Sequence, residues 1–294
     1  MLDYHLHLWP HGERDRQPTV DELAAYCERA QRHDIEQIAL TEHLFRFTQA
    51  DASLKGVWDD DRTASPALQA QAAQYWAEHN HADLDAYVEA VLAAKAQGLP
   101  IVLGLEVDYY EGRMDRVQAL LEGYPFDVLL GSVHWIGAWL FDVIESSVAM
   151  DEWDRRGIDD AWDSYTRAIE ELAASHTVDV LAHPDLAKVA GHRPDKATGA
   201  IDEFHDRIAE AAAATGIAAE VSSAGWRKPG AEPYPAPSLL AKFRARNVPI
   251  TTASDAHRLE DVAFRIDDLR PIIEQAGYTE LVAFDGRRPH AVRI

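Results

Sequence analysis

Cysteine is almost missing from this chain. It occurs once in 294 residues, as Cys27, which excludes an internal disulfide framework and any cysteine-based zinc site. Cys27 lies in the apolar helical stripe Leu23–Cys27 and reads as a small core residue rather than a nucleophile. Positive charge is scarce too: 28 Lys and Arg stand against 50 Asp and Glu, a formal net charge of −22. A field of that sign opposes nucleic-acid phosphates and anionic membranes, so neither is expected as a partner. Much of the acid is solvated surface that aids solubility. Long apolar runs are lacking as well. The longest, such as Ile101–Leu105 and Val128–Leu130, are far too short to cross a bilayer. The first residues carry no basic segment followed by an apolar one, so no export signal is expected and a cytoplasmic location follows.

What the chain does have is regular alternation. The spacing predicts strands over Leu2–Leu8, Gln37–Thr41, Ile101–Val107, Asp127–Gly131, Val178–Ala182, Ile217–Val221, Pro249–Ser254 and Leu281–Phe284. Between them it predicts helices over Val20–His33, Pro66–Gln97, Arg113–Leu121, Asp160–Ser175, Ile201–Thr215, Ser238–Arg246 and Asp261–Ala276. Seven or eight βα units without a break in composition imply an α/β fold, one domain over residues 1–294, and a closed parallel barrel rather than an open sheet. The polar stretches Thr48–Ser65 and Phe141–Arg156 read as long loops at the rim of a pocket.

The chemistry-bearing residues sit at the strand ends. His5 and His7 lie two apart in the first strand, Asp255 and His257 two apart after the last, and i, i+2 residues of a strand share a face. Between them, His43, Glu106, His134, His183 and Glu220 each fall at or near the end of a different strand. In barrel enzymes that is the face where chemistry is built. One such histidine, His183 for example, would fit a core or capping role equally well; repetition over six strands is not explained by solubility. His33, His79, His81, His176, His205 and His290 lack this context and are assigned no role, and Glu42 reads as a pocket-lining acid more than a ligand. Imidazoles and carboxylates together suit Zn²⁺, Mn²⁺ or Fe²⁺.

The ordered segments D-Y-H-L-H, T-E-H, G-L-E-V-D-Y, G-S-V-H-W, A-H-P-D-L, S-S-A-G-W-R and S-D-A-H resemble the PHP (polymerase and histidinol phosphatase) family, and within it the histidinol-phosphatase type. The resemblance runs from Leu2 to about Val262. It implies a distorted (β/α)7 barrel, the PHP fold, with three divalent metal ions that vary among zinc, manganese and iron. Carried over residue by residue, it puts His5, His7, Glu106 and Asp255 on a first ion. Glu106 bridges to a second, completed by His134 and His183. His43 and His257 hold a third, with one further ligand in the loop after His7: His11, in a Pro10-His11-Gly12 turn, or Glu13. The implied activity is hydrolysis of a phosphate monoester, L-histidinol phosphate first, with another small phosphate ester or nucleotide as the alternative. Asp255 is expected to orient or deprotonate the attacking water and His257 to help protonate the leaving alkoxide.

In so acidic a chain, bases clustered beside strand ends suggest the phosphate contacts. By the same resemblance Arg227 is the expected clamp, since a guanidinium grips two phosphate oxygens at once, with Lys188 and Arg193 as partners. Glu42, Asp108 and Glu220 are unranked candidates for a substrate ammonium. A barrel amidohydrolase would want a lysine ligand at a mid-barrel strand end, and none is found there.

Overall fold

The computed structural model describes residues 1–10 and 17–294. Its strands and helices in chain order are β1 (Leu2–Leu6), α1 (Val20–Gln31), β2 (Gln37–Leu40), α2 (Asp51–Leu54), α3 (Pro66–His79), α4 (Leu84–Ala96), β3 (Ile101–Asp108), α5 (Met114–Leu121), β4 (Val128–Ser132), β5 (Trp135–Ile136) and β6 (Trp139–Leu140). There follow α6 (Ser147–Arg156), α7 (Ile158–Ala174), β7 (Val180–Leu181), α8 (Ala200–Thr215), β8 (Ala218–Ser222), α9 (Pro237–Ala245), β9 (Ile250–Ala253), α10 (Ile266–Gln275), β10 (Glu280–Asp285) and β11 (Arg288–Arg293). Seven strands form one parallel sheet in the order β1-β2-β3-β4-β7-β8-β9. Between β9 and β1 the sheet nearly closes: Thr252 Oγ1 donates to the Leu2 carbonyl at 2.6 Å, and His7 N to the Ala256 carbonyl at 2.8 Å. The result is the expected distorted (β/α)7 barrel.

Helices cover the sheet outside and polar side chains fill its axis, so β1, β3, β4, β8 and β9 are buried along their whole length. That is the rule for parallel strands. Helix starts follow local chemistry. Thr19 and Glu22 make a reciprocal capping box on α1, and Ser65, Asp83 and Ser146 cap α3, α4 and α6. Each such cap stabilises its helix by about 1 kcal/mol.

Departures from the sequence reading have physical causes. The single helix expected over Pro66–Gln97 is two, because Asp83 caps a new start and Asn80 Nδ2 turns away to donate to the Phe45 and Phe47 carbonyls. The last long helix starts at Ile266 rather than Asp261, since the Ala263 amide is held by buried Asp3 at 2.9 Å and Arg265 takes a φ of 49°. Residues 48–65 hold three short helical turns, and the short hairpin β5–β6 precedes the second expected loop, which itself contains α6. The predicted strand near Leu281 joins no barrel strand. With β11 it forms a hairpin whose Gly286 and Arg287 amides bond Asp127, just ahead of β4. It therefore lies across the N-terminal end of the barrel, opposite the strand ends that carry the histidines. Cys27 is a buried free thiol in α1, as expected.

Candidate metal centre

Pleat and closure bring the donors together. Along β1 the alternation turns Asp3, His5 and His7 to the axis. The closing Leu6–Ala256 bridge then sets Asp255 opposite them, with its Oδ1 at 3.8 Å from His5 Nε2 and 3.5 Å from His7 Nε2. Asp255 adopts a left-handed φ of 51° and His183 a φ of 26°. Such backbone is uncommon outside glycine and clusters at functional sites. Asp3 holds the closure in place by accepting from Ser254 N and Oγ, each at 2.7 Å. Burial pushes its carboxyl up to about 6 despite those bonds.

Glu106 is the hub. Its Oε2 lies 2.8 Å from His43 Nδ1, 3.2 Å from His5 Nε2 and 3.4 Å from His7 Nε2. Its Oε1 lies 3.0 Å from His183 Nε2 and 3.6 Å from His134 Nε2. Two donors bound to one ion at about 2.1 Å stand roughly 3.0 Å apart in octahedral and 3.4 Å apart in tetrahedral geometry. The 3.0, 3.2 and 3.4 Å spacings around Glu106 match those edges, and among the described residues its buried Oε2 accepts no well-directed hydrogen bond. The residues therefore fit divalent cations.

Among the described residues, four groups have ligand atoms within 4.8 Å of one another: His5–His7–Asp255, His5–Glu106–His183, His7–His43–His257 and His43–Asp108–His134. All eight of the expected ligands that fall on described residues belong to this one constellation. His43 and His257 come together with His7 stacked between them, at ring distances of 4.3 and 4.2 Å. His11 and Glu13 lie outside the described residues.

The electrostatics call for added positive charge. Burial disfavours charged imidazoles, yet Glu220, Glu106 and Asp255 outweigh it and hold His5 well above the usual histidine range. His7 and His134 are likewise pushed up to about 10 against burial, the first by Asp255, Glu106 and Glu42, the second by Glu106 and Asp108. Burial would raise the carboxyls of Glu106 and Asp255, but the surrounding histidines leave both well below the ordinary range. A dication held among these carboxylates would supply the positive charge that they favour on the imidazoles.

Three acids read from the sequence as candidate ammonium partners are buried inside instead. Glu220 Oε2 lies 2.7 Å from His5 Nδ1, and Asp108 Oδ1 lies 2.7 Å from His134 Nδ1. Glu42 accepts from the Leu8 and Trp9 amides and faces His7 Nδ1 at 3.6 Å, too long for a hydrogen bond. Since Asp108 stands two residues after Glu106 on one strand, its inward direction was readable from the pleat. The use of these acids behind the histidines was not.

The expected phosphate contacts divide. Arg227 reaches the centre: its exposed guanidinium donates from Nη2 to the carbonyls of Ser254 and Asp255 at 2.7 and 2.8 Å. Lys188 does not reach out. It is buried, with Nζ on Asp185 Oδ2 at 2.7 Å, the Pro233 carbonyl at 2.8 Å and Glu232 Oε2 at 3.1 Å. Its three donors are thereby taken up inside the protein. Arg193 is half-exposed and donates to the same Glu232 oxygen at 2.8 Å. A cavity of about 720 Å³ lies between Tyr110 and Trp135 on one side and residues 60–63 on the other, and none of the candidate ligands lines it. Arg156, at the end of the second expected rim segment, also lines it. Of the histidines set aside, His79 bonds the Tyr75 carbonyl and His205 lies against Ser238 Oγ, as core histidines do.

The PHP domain family matches residues 5–224. A Deinococcus radiodurans protein described as a "probable histidinol-phosphatase" is 35% identical over 192 residues, covering 65% of this chain and 71% of its own length. The fold is similar to that of the histidinol phosphate phosphatase of Lactococcus lactis, solved with zinc, L-histidinol and phosphate. There the TM-score is 0.70 at 21% identity, over 98% of each chain. A Listeria monocytogenes protein named for the same activity superposes with a TM-score of 0.72 at 19% identity, over 91% of this chain and 99% of its own. With a family match across most of its length and this histidine–carboxylate centre at its strand ends, the chain belongs to the PHP domain family.

Proposed function

We propose that this chain is a metal-dependent phosphomonoesterase that hydrolyses L-histidinol phosphate to L-histidinol and phosphate, a cytoplasmic step of histidine biosynthesis carried out by one domain spanning residues 1–294. One observation carries the reading: a buried glutamate, Glu106, ringed by five imidazoles with Asp255 beside them. The Deinococcus radiodurans relative supports the substrate. The donors suit three ions of zinc, manganese or iron. They would be held by His5, His7, Glu106 and Asp255, by Glu106, His134 and His183, and by His43 and His257 with His11 or Glu13. Bound there, the ions supply Lewis acidity and charge neutralisation for the phosphoryl oxygens.

The chain's own groups do the rest. Asp255, its side chain 17% exposed, orients the attacking water and takes its proton as the new P–O bond forms. His257 Nδ1 stands 3.5 Å from Asp255 Oδ1 and delivers a proton to the ester oxygen as the old P–O bond breaks. Arg227 grips the phosphoryl oxygens from the rim, with Arg193 behind it. Lys188 acts at one remove: it fixes Glu232, which holds Arg193.

The test is phosphate release by metal-loaded protein from histidinol phosphate, p-nitrophenyl phosphate and mononucleotides. A kcat/KM for histidinol phosphate at least about a hundredfold above the others, near 3 kcal/mol of discrimination, is expected. Equal rates on all would make this a phosphoesterase for another small ester, and no release from any would end the reading.

A further inference from the structure

Glu220 and Asp108 raise a question that the ligand set leaves open. Both carboxylates are buried, yet each lies on the side of a histidine turned away from Glu106. His5 points Nε2 at Glu106 Oε2 (3.2 Å) and Nδ1 at Glu220 Oε2 (2.7 Å). His134 points Nε2 at Glu106 Oε1 (3.6 Å) and Nδ1 at Asp108 Oδ1 (2.7 Å). The spacings separate two kinds of contact. The contacts of Glu220 and Asp108 are well-directed hydrogen bonds at 2.7 Å, the length of a charge-assisted bond, whereas Glu106 Oε2 accepts no well-directed bond from the rings around it among the described residues. Among the described residues Glu220 belongs to none of the four ligand groups; Asp108 enters one, with His43 and with His134, whose Nδ1 already lies 2.7 Å from it.

We infer that Glu220 and Asp108 are positioning residues that accept Nδ1–H from His5 and His134, so that each ring presents Nε2 to its ion. A neutral imidazole has one N–H and one lone pair. A carboxylate fixed on Nδ1 selects the tautomer whose lone pair is on Nε2 and prevents the ring from rotating out of line. The other oxygen of Glu220 accepts from the backbone amide of His183 at 3.3 Å, so the same carboxylate also anchors the main chain of a second ligand, at the residue whose φ is 26°. Neither acid is then available to a substrate ammonium, which must be met elsewhere in the pocket.

The test compares zinc affinity, by chelator competition, in wild type, Glu220→Gln and Asp108→Asn, with Asp185→Asn as control. Asp185 is equally buried, but its bonds go to Lys188 and the Ala236 amide rather than to a histidine. An amide keeps the shape but can turn its NH2 to the ring and favour the wrong tautomer. Zinc binding roughly 10–100-fold weaker in the first two variants is expected, with the wild-type ion count restored at saturating zinc and the control unchanged. Wild-type affinity in both variants overturns the inference. So does the loss of an ion at saturation, which would make the acid a ligand, or equal weakening in the control. Imidazole ¹⁵N spectra of zinc-loaded wild type decide the matter without any variant: Nδ1–H on His5 and His134 is expected, and Nε2–H contradicts it. The inference rests on the metal-centre reading. Wild-type protein that takes up no zinc ends that reading, whereas normal uptake with unaltered variants ends only this one.

Discussion

Both ends of the barrel bury carboxylates, and they satisfy them differently. At the N-terminal end Asp127 is held by the Lys95 ammonium, the Leu103 amide at 2.8 Å and the Gly286 amide at 3.2 Å. Asp179 meets the Arg287 guanidinium and the Leu129 amide, both at 2.9 Å. These partners are permanent cations and backbone donors, and together they tie the β10–β11 hairpin across the opening. At the C-terminal end Glu106 and Asp255 face imidazoles, whose charge is conditional on pH. One end is completed by the chain itself; the other is complete only with something added, protons or metal ions. Burial alone thus does not mark a functional acid. The kind of partner does.

The contrast can be broken most forcefully at its hub. Glu106→Gln should abolish tight metal binding and lower kcat by at least about a thousandfold, as expected when metal and electrostatic stabilisation are lost together. Elemental analysis and steady-state kinetics on one sample check both. Lys188→Met comes next. Removing a buried ammonium leaves Asp185 uncompensated, so a loss of about 3–5 kcal/mol in denaturant unfolding is expected, with metal content kept in the folded fraction. A change confined to KM would instead return Lys188 to the substrate side.

The pH dependence follows with its sign. In metal-free protein His7 and His134 are raised to about 10. Their contribution to stability is full below the unfolded histidine value near 6.5 and is lost as pH rises through about 10. Glu106 and Asp255 are lowered, so theirs is present above the ordinary carboxylate range and lost in acid. Metal binding must displace the histidine protons, so Mn²⁺ should raise Tm more at pH 8 than at pH 6. Each proton displaced is worth up to about 2.7 kcal/mol over those two pH units. A Tm increment independent of pH would remove the histidines from the shell. The smallest effect belongs to the other end: Asp127→Asn should cost about 1–3 kcal/mol of stability and leave kcat and metal content as in wild type.

Much of this was legible before any coordinates. Period-two spacing placed His5 with His7, and βα alternation placed Glu106, His134 and His183 at one end of one sheet. Asp255 and His257 were expected together by the same spacing, but they lie beyond β9, and the left-handed φ of 51° at Asp255 takes the place of the pleat there. Facts that depend on side-chain reach were not legible. Nothing in the order Asp185, Leu186, Ala187, Lys188 tells whether the ammonium turns out to substrate or inward to Asp185 and Glu232, which is 44 residues on. Nor does the pleat, which points Glu106, Asp108 and Glu220 inward alike, say which of them faces Nε2 and which Nδ1 of a ring. The break between α3 and α4 was hidden for a related reason: Asn80 is diverted by carbonyls more than thirty residues away. The hairpin β10–β11 was half-seen, because an apolar run like Leu281–Phe284 looks the same in a barrel strand as in a plug.

We propose the C-terminal end of the barrel as a multinuclear metal site rather than a buried network of protonated histidines. Its most direct test is the number of divalent ions per chain in purified protein after equilibration with zinc and removal of the excess. About three tightly held ions per chain are expected, as the donor set allows, falling steeply in Glu106→Gln. One ion or fewer in the wild type, or a count that Glu106→Gln leaves unchanged, would contradict it.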